Sequence, residues 1–295
     1  MTEAPLAEPR SGARNALAAR LRFARTGSGG VGLALSLLLL ALVVVGPFFA
    51  PHDPADIVGI GFQRPNGQFL LGTDSLGRDV LSRVLWGGRS VVGLSLLATV
   101  LAYLVGTTIG LVAGYTRSLI DPLLMRAMDV LLAFPPLLFL LVLATGVGRS
   151  KVALVIGVAI VNVPSIARIV RAATQTISVR GYVEAAVARG ERVHAVLRRE
   201  ILPNILGTVL ADAGIRLTGA IIILASVNFL GLGLQPPAAD WALMISENRS
   251  GITLQPWMVA APALLIAVLT IAVNLVADAV ARSLGTSLER RRVAR

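Results

Sequence analysis

The segment YVEAAVARGERVHAVLRREILPN, residues 182–204, is one of the few long polar stretches in a chain of 295 residues. Two short helices are predicted within it, 182–189 closed by Gly190 and 191–202 closed by Pro203, because such residues commonly end helices. The second helix carries an apolar stripe at positions i, i+3, i+4 and i+8, formed by Val193, Val196, Leu197 and Ile201. Such a stripe must be buried, against its own protein, a membrane surface or a partner.

The sequence on either side of this segment is strongly apolar. Mean hydropathy is +0.78, and 55% of the residues are apolar against 15% charged, a composition typical of integral membrane proteins. The net charge of +11 lies in short clusters between apolar runs, as in cytoplasmic loops. This distribution, with few aromatic residues, indicates no nucleic-acid partner. Cysteine is absent, so disulfides and thiolate metal sites are excluded.

The apolar runs predict an all-α polytopic membrane protein with six transmembrane helices, since about 20 apolar residues cross a bilayer. The first helix is predicted to stay uncleaved, because no small-residue cleavage site follows it. The predicted spans are 31–50, 91–115, 122–146, 152 to about 169, 205–234 and 257 to about 281.

The arginine clusters predict how these spans are oriented. With six spans, the N-terminal tail, the turn at Arg117, the polar loop and the C-terminal tail share one side, which the positive-inside rule makes cytoplasmic. We therefore predict a multi-pass protein of the cell membrane, in contact with lipid, with both termini in the cytoplasm. Its predicted parts are a cytoplasmic tail 1–30, a first helix 31–50, an extracytoplasmic loop 51–88, a five-helix core 89–283 containing a cytoplasmic loop 172–204, and a basic cytoplasmic tail 284–295.

Two patterns inside the spans predict local structure. Gly106, Gly110 and Gly114 recur every four residues, which predicts a helix-packing face toward either another helix of this chain or a partner subunit. Pro135-Pro136 lies in the middle of the third span and is expected to kink or break that helix.

Charged and polar residues within the spans are candidates for translocation or gating. Arg126 and Asp129, at i and i+3 near the start of the third span, are expected to neutralise each other. Two further charges interrupt the fifth span at i and i+4. A structural ion pair near a helix end is the alternative to a role in the pathway. The candidates are Arg126, Asp129, Pro135, Asp212, Arg216 and Asn228.

The string LGTDSLGRDVLSRVLWGGRS, residues 71–90, precedes the second span. It predicts a turn at 72–75 and then a short amphipathic helix that carries Arg78, Asp79 and Arg83. Taken alone, it is typical of an interfacial helix that covers a loop.

Several strings resemble one family. The loop string Glu184-Ala185-Ala186, with Gly190 and then Leu202-Pro203, resembles the EAA loop of the membrane subunits of ABC importers. The string at 71–90, together with NFLGLG at 228–233 and Trp241 beyond it, is similar to the C-type permeases of dipeptide, oligopeptide and nickel importers.

The resemblance implies a type I ABC importer permease fold, with five core helices after one extra N-terminal helix. It implies four partners: a related B-type permease subunit, two ATP-binding subunits and an extracytoplasmic substrate-binding protein. The implied cargo is a short peptide, with nickel or another small solute as the alternative. The residues implied to dock into a groove of the ATPase and to transmit its motion are Glu184, Ala185, Ala186, Gly190, Leu202 and Pro203.

Several positions depart from the family's pattern. Apart from Glu200 they lie outside the coupling loop, so they bear on the cargo more than on the docking of an ATPase. These positions are Glu200, Leu224, Asn228, Ala239, Asp240, Ala242 and the lone Asp278 of the sixth span.

No catalytic, metal or cofactor site is predicted. A P-loop needs Gly-Lys-Ser/Thr, whereas the single lysine, Lys151, lies between Ser150 and Val152. His52 and His194 are predicted on opposite sides of the membrane and cannot share a metal. The chain is therefore predicted not to be an enzyme, with ATP used by its partner subunits.

Two other classes of protein stay open at this point. A secondary transporter would work without an ATPase, but the spans show no inverted repeat, and their ionisable residues are predicted near helix ends. A membrane scaffold that transports nothing would leave solute uptake unchanged when deleted.

Overall fold

The structure, a computed structural model, describes residues 27–116 and 118–293. The predicted tail 1–30 lies outside the described residues except for 27–30, as does Arg117. Of the predicted tail 284–295 only the backbone up to Val293 is described, and it continues the last helix.

Helices make up the frame of the described chain. The long helices are α1 (Gly27–Val45), α2 (Val80–Tyr115), α5 (Lys151–Ser178), α8 (Leu202–Phe229) and α10 (Trp257–Val293). The shorter helices are α3 (Ile120–Ala133), α4 (Pro136–Gly146), α6 (Gly181–Ala188), α7 (Val193–Val196) and α9 (Trp241–Asn248).

Five helical stretches of the described chain are long and apolar enough to cross a bilayer, and the pair α3–α4 can form a sixth span. The axes of α3 and α4 differ by 85°, and the break between them falls at Phe134 and Pro135. Pro136 begins α4, where the missing N–H of proline costs nothing, because the first N–H groups of a helix have no intrahelical partner. The break expected at Pro135-Pro136 is therefore present.

Helices α2 and α5 lie in close contact along a glycine face. A Cβ atom at Gly106 would come 2.8 Å from Cγ2 of Ile166, and one at Gly110 would come 2.6 Å from Cβ of Val170. One at Gly114 would come 2.7 Å from Cβ of Thr174. Only glycine allows this approach, so the partner of the glycine repeat is a helix of the same chain.

The order of these contacts also sets the direction of the helices. Successive glycines of α2 meet successively later residues of α5, so α2 and α5 run parallel. The end of α2 and the start of α5 therefore lie at opposite ends of the bundle, and the bent pair α3–α4 returns the chain between them. Residues 179–204 consequently lie at the same end as the C-terminus of α2, which we name the loop end.

The opposite end, which we name the cap end, is covered by two segments that pack together. Residues 50–79, which follow α1, meet α9, whose Trp241 is fully buried. Its indole Nε1 donates to the Val84 carbonyl at 2.8 Å. The ring lies against Gly87 and Gly88, where an added Cβ would come within 2.7 Å of it.

Two boundaries differ from the sequence predictions. Helix α2 begins at Val80, capped by Asp79, whose side chain accepts from the Ser82 N–H, so the short amphipathic helix predicted before the span is the first part of the span's own helix. Residues 80–88 therefore belong to this helix and not to an extracytoplasmic loop. The fifth span ends at Phe229 and not at Leu234, because the chain turns through Gly231, which has a positive φ of 71°.

Gly110→Ala is expected to destabilise the protein by about 1–3 kcal/mol, the usual cost of overpacking. The added methyl would meet both Val170 and the backbone oxygen of Ala167, 2.7 Å away, and a backbone atom cannot rotate aside. Thermal unfolding in detergent measures the effect.

Gly93→Ala on the same helix is the matched control. A Cβ at Gly93 has no neighbour within 4 Å, so this variant should match the wild type or gain roughly 0.5–1 kcal/mol from reduced backbone freedom. Equal midpoints for the two variants would contradict the close packing of α2 on α5.

Candidate functional site at the loop end

The loop between α5 and α8 has two short helices joined by a glycine turn. Helix α6 ends at Ala188, and Gly190 follows with a positive φ of 78°. The Gly190 N–H donates to the Val187 carbonyl at 2.9 Å, and the Glu191 N–H donates to the Ala186 carbonyl at 3.2 Å. This pair of bonds is a Schellman closure, in which glycine adopts the left-handed conformation without steric cost.

One side of the loop is buried against the ends of α2 and α5. Val183 and Ala186 of α6 are buried, as are Val196 and Ile201 beyond the turn. They join one apolar cluster that includes Leu111 of α2 and Val170 of α5. The apolar stripe predicted from the sequence is therefore covered mainly by the chain itself.

The opposite side of the loop faces outward. Glu184, Ala185 and Gly190 are exposed, and so are three larger side chains, Tyr182, Val187 and Val193, at 43%, 49% and 51% of their areas. We name this surface the loop face. Ala186 does not belong to it: the sequence grouped Ala186 with the residues that contact a partner, but its side chain is 0% exposed because it lies in the apolar cluster beneath the loop.

Pro203 does not end the second helix of the loop. The chain passes without a break from α7 through a π-helical turn at Leu197–Ile201 into α8. The whole stretch Val193–Phe229 is one helical segment that is long and apolar enough to cross a membrane. In the π-turn the Leu202 N–H donates to the Leu197 carbonyl, five residues back, so the hydrogen-bond pattern shifts just before the proline. The prediction that Pro203 is a stop was therefore wrong, because the π-turn accommodates the donor that proline lacks.

Asp129 has a different partner from the one expected. Its Oδ1 accepts from Nη2 of Arg168 on α5 at 2.6 Å, so the predicted neutralisation by Arg126 on its own helix is wrong. A second ion pair of the same kind joins Asp121 at the start of α3 to Arg171 of α5, with two bonds of 2.6 Å. Both pairs tie α3 to α5.

Asp212 and Arg216 form an ion pair at the middle of α8. Nε of Arg216 lies 3.2 Å from Oδ2 of Asp212, and the same oxygen accepts from the Tyr103 hydroxyl of α2 at 2.6 Å. The expectation that ionisable residues lie only near helix ends is wrong here, because the helix extends well past this pair in both directions. Tyr103 was missed, since nothing in the sequence links it to a residue more than a hundred positions later.

Asn228 lies at the cap end of α8 and is fully buried. Its Oδ1 accepts from the Leu234 N–H at 2.9 Å, so it closes the turn that follows α8. The structure thus places Asn228 far along α8 from Arg216, and the six residues proposed for the pathway do not form one cluster.

A buried network of charges at the cap end was also missed by the sequence reasoning. Arg83 and Arg78, 0% and 3% exposed in their side chains, share Oε2 of Glu247 at 2.7 Å and 3.0 Å. Asp74 binds Nε of Arg78 at 2.6 Å. The amphipathic helix predicted here was expected to be interfacial, but its arginines point inward because α9 brings Glu247 over them.

The Asp240 carboxyl caps α9 beside this network. Its Oδ1 accepts from the N–H groups of Ala242 and Leu243 at 3.0 Å and 3.1 Å. Burial raises its pKa to about 6, an effect that these backbone bonds and the Asn228 side chain only partly offset.

Comparison with known proteins assigns the chain to a family. Residues 106–286 match the family described as binding-protein-dependent transport system inner membrane component, a match that covers more than half of the chain. The chain belongs to this family. It is therefore a multi-pass inner-membrane component of a transport system, and the secondary-transporter and scaffold alternatives are not favoured.

Curated relatives resemble the permease over most of its length. A di/tripeptide transport system permease protein, DppC, of Pseudomonas aeruginosa is 34% identical over 268 residues, covering 87% of this chain and 88% of that protein. A glutathione transport system permease protein, GsiD, of Pectobacterium atrosepticum is 34% identical over 254 residues, covering 85% and 84%. A dipeptide transport system permease protein of Haemophilus influenzae is 31% identical over 266 residues, covering 88% and 90%.

Solved structures of ABC transporters share the fold of the permease. The MetNI methionine ABC transporter, in an inward-facing conformation, aligns with a TM-score of 0.55 at 17% identity, covering 70% of this chain and 96% of that chain. An amino acid ABC transporter aligns with a TM-score of 0.50 at 22% identity, covering 65% and 89%. The expected all-helical fold of an ABC importer permease is therefore confirmed.

Glu247→Gln is expected to destabilise the permease by about 3–5 kcal/mol, because the buried guanidinium groups of Arg78 and Arg83 both lose the negative charge of Glu247. Asp56→Asn, on an exposed position of the segment 50–79, removes the same charge and should stay within about 0.5 kcal/mol of the wild type. Thermal unfolding followed by tryptophan fluorescence measures both. Similar midpoints for these two variants would contradict a structural role of the network.

Asp240→Asn is expected to flatten the dependence of the melting temperature on pH. The folded-state pKa of about 6 lies above the ordinary value of 3.8, so the neutral acid stabilises the fold at low pH, and this stabilisation is lost as the pH rises through 6. Asparagine still caps the helix but does not ionise. Melting curves of both proteins from pH 5 to 7.5 provide the comparison, and parallel curves would show that Asp240 does not titrate in this range.

Proposed function

We propose that the chain is the permease subunit of an ABC importer that passes short peptides across the cytoplasmic membrane, driven by ATP-binding subunits. The observation that carries this proposal is the likeness to a di/tripeptide permease, 34% identical over 87% of this chain and 88% of that protein. A match over nearly the full length of both proteins supports a shared role more strongly than a match to one segment. The glutathione permease that is also similar acts on a cargo of the same peptide class.

The loop face is the proposed docking surface for an ATP-binding subunit. Three partly exposed apolar side chains, Tyr182, Val187 and Val193, belong to this face together with the small residues Ala185 and Gly190, and an apolar surface of this kind indicates a protein contact. The buried side of α6 packs in one apolar cluster with residues of α2 and α5. A displacement of the loop by a bound ATP-binding subunit would therefore be transmitted directly to these two membrane helices.

The proposed orientation puts the loop end in the cytoplasm. The loop carries a cluster of basic side chains, and basic residues in short loops are retained on the cytoplasmic side. The cap end then faces outward, where a substrate-binding protein would deliver the cargo. A related permease subunit would form the other half of the pathway. The basic residues of the loop are Arg180, Arg189, Arg192, Arg198 and Arg199.

Ala185→Trp tests the docking surface. Ala185 is exposed in the permease, so the indole should leave the fold intact and still prevent close contact with the ATP-binding subunit. We expect this variant to reach the membrane, to lose the ATP-binding subunit on co-purification and to lose ATP-dependent peptide uptake by vesicles.

Val147→Trp is the matched control, because Val147 is 72% exposed and lies in the turn between α4 and α5 at the opposite end of the bundle. This variant should retain the ATP-binding subunit. If the Ala185→Trp variant co-purifies with the ATP-binding subunit and transports peptide normally, the docking proposal is wrong.

A further inference from the structure

A charged cluster lies deep in the predicted membrane layer. Arg216 is midway along α8, about 20 Å from either end at roughly 1.5 Å per residue, and it pairs with Asp212 one turn earlier. The Tyr103 hydroxyl reaches the same carboxylate from α2. The three side chains form one hydrogen-bonded unit, which we name the mid-membrane triad.

The triad is not sealed inside this chain. The side chains of Arg216 and Asp212 are 25% and 11% exposed, so they reach a surface that the described helices leave open. The hydrocarbon core of a bilayer is about 30 Å thick, and a charged pair facing its acyl chains would be costly. Ionisable side chains at this depth instead face a bundle interior or a water-filled cavity. This side of α8 therefore faces the transport pathway or a partner subunit.

The open side of α8 has the composition of an aqueous wall more than of a lipid contact. Of the six positions at helical spacing along it, four carry small or polar side chains and two carry isoleucine. Ile215 and Ile222 on it are 55% and 52% exposed, and a Cβ at Gly219 would have no neighbour within 4 Å. The full row is Thr208, Asp212, Ile215, Gly219, Ile222 and Ser226.

We propose that the mid-membrane triad is a contact site for the charged ends of a zwitterionic solute, with Arg216 receiving its carboxylate and Asp212 its ammonium group. This inference rests on the proposed function, because a short peptide carries both groups. It adds a specificity site within the membrane to the selection made by a binding protein outside it.

The atoms of the triad are arranged for this role. Among the described residues, the hydrogen bonds of the pair use only Nε of Arg216 and Oδ2 of Asp212. Both terminal amino groups of Arg216 and Oδ1 of Asp212 are left for a ligand. A guanidinium group binds a carboxylate through parallel N–H bonds. Tyr103 is a positioning residue, since its hydroxyl holds the Asp212 carboxylate and, through it, the guanidinium.

Arg216→Gln tests the site in vesicles that contain the complete transporter, its binding protein and ATP. The probes are a dipeptide with a free carboxyl end and the same dipeptide with a carboxamide end, each at a concentration that saturates the binding protein. We expect uptake of the free acid to fall on the order of 10-fold, the effect of losing charged hydrogen bonds. Uptake of the carboxamide should change less than about 2-fold, since it lacks the charge that Arg216 recognises.

Arg149→Gln is the matched control, because it removes the same charge from an exposed turn, and it should leave both uptake rates unchanged. Equal losses for the two peptides with Arg216→Gln, or no loss, would overturn the site. Loss of the second permease subunit with both Arg216→Gln and Arg216→Lys would also overturn it, by showing that Arg216 is buried in a subunit contact. If Arg216→Lys assembles, its point charge should restore part of the free-acid uptake.

The wild-type measurement separates this inference from the function on which it rests. ATP-dependent uptake of either peptide by the wild type supports the importer, and the ratio between the two peptides then decides the site. Absence of any uptake by the wild type would overturn the proposed function and this site with it.

Discussion

The close approach of α2 and α5 is the constraint on which the rest of the fold depends. Without side chains at Gly106, Gly110 and Gly114, the two helices touch through backbone and Cβ atoms, a contact that supplies dispersion energy where lipid offers no hydrophobic driving force. Because the helices run parallel, the chain between them must return across the layer, which it does through α3 and α4. The loop then rests on the two helix ends that this packing brings together.

Ion pairs occur at several positions along the described helices, and most of them join one segment of the chain to another. At the cap end, Arg78 just before α2 and Arg83 within it are paired with carboxylates from two separate segments, and they hold α9 onto the start of α2. Along α3, carboxylates reach across to arginines of α5. Asp212 and Arg216 lie near the middle of α8, and the Asp212 carboxylate also accepts from the Tyr103 hydroxyl of α2.

Local patterns in the sequence predicted much of this structure. Hydropathy placed the apolar helices, the glycine repeat predicted a packing face, and Pro135-Pro136 predicted the break, because each depends on residues close together in the chain. The closure of α6 at Gly190 follows the same logic. Features that depend on tertiary contacts were missed or wrong: the burial of Ala186, the inward arginines near 80 and the partner of Asp129. The prediction that Pro203 ends its helix was wrong because the π-helical turn at Leu197–Ile201 shifts the hydrogen-bond register just before the proline. Rules that consider one residue at a time do not predict such a shift.

The unbroken run from Val193 to Phe229 has a mechanical consequence. A helix of 37 residues is about 55 Å long at roughly 1.5 Å per residue, so it behaves as a stiff rod whose two tips and midpoint must move together. A tilt of about 10° pivoting at one tip would displace the other by about 10 Å and the midpoint by about half as much. Force applied at Val193, the loop-face residue at the tip of this rod, therefore becomes displacement at Arg216, about 35 Å away at roughly 1.5 Å per residue, and at the cap end, and the geometry of the rod sets the ratio between the two.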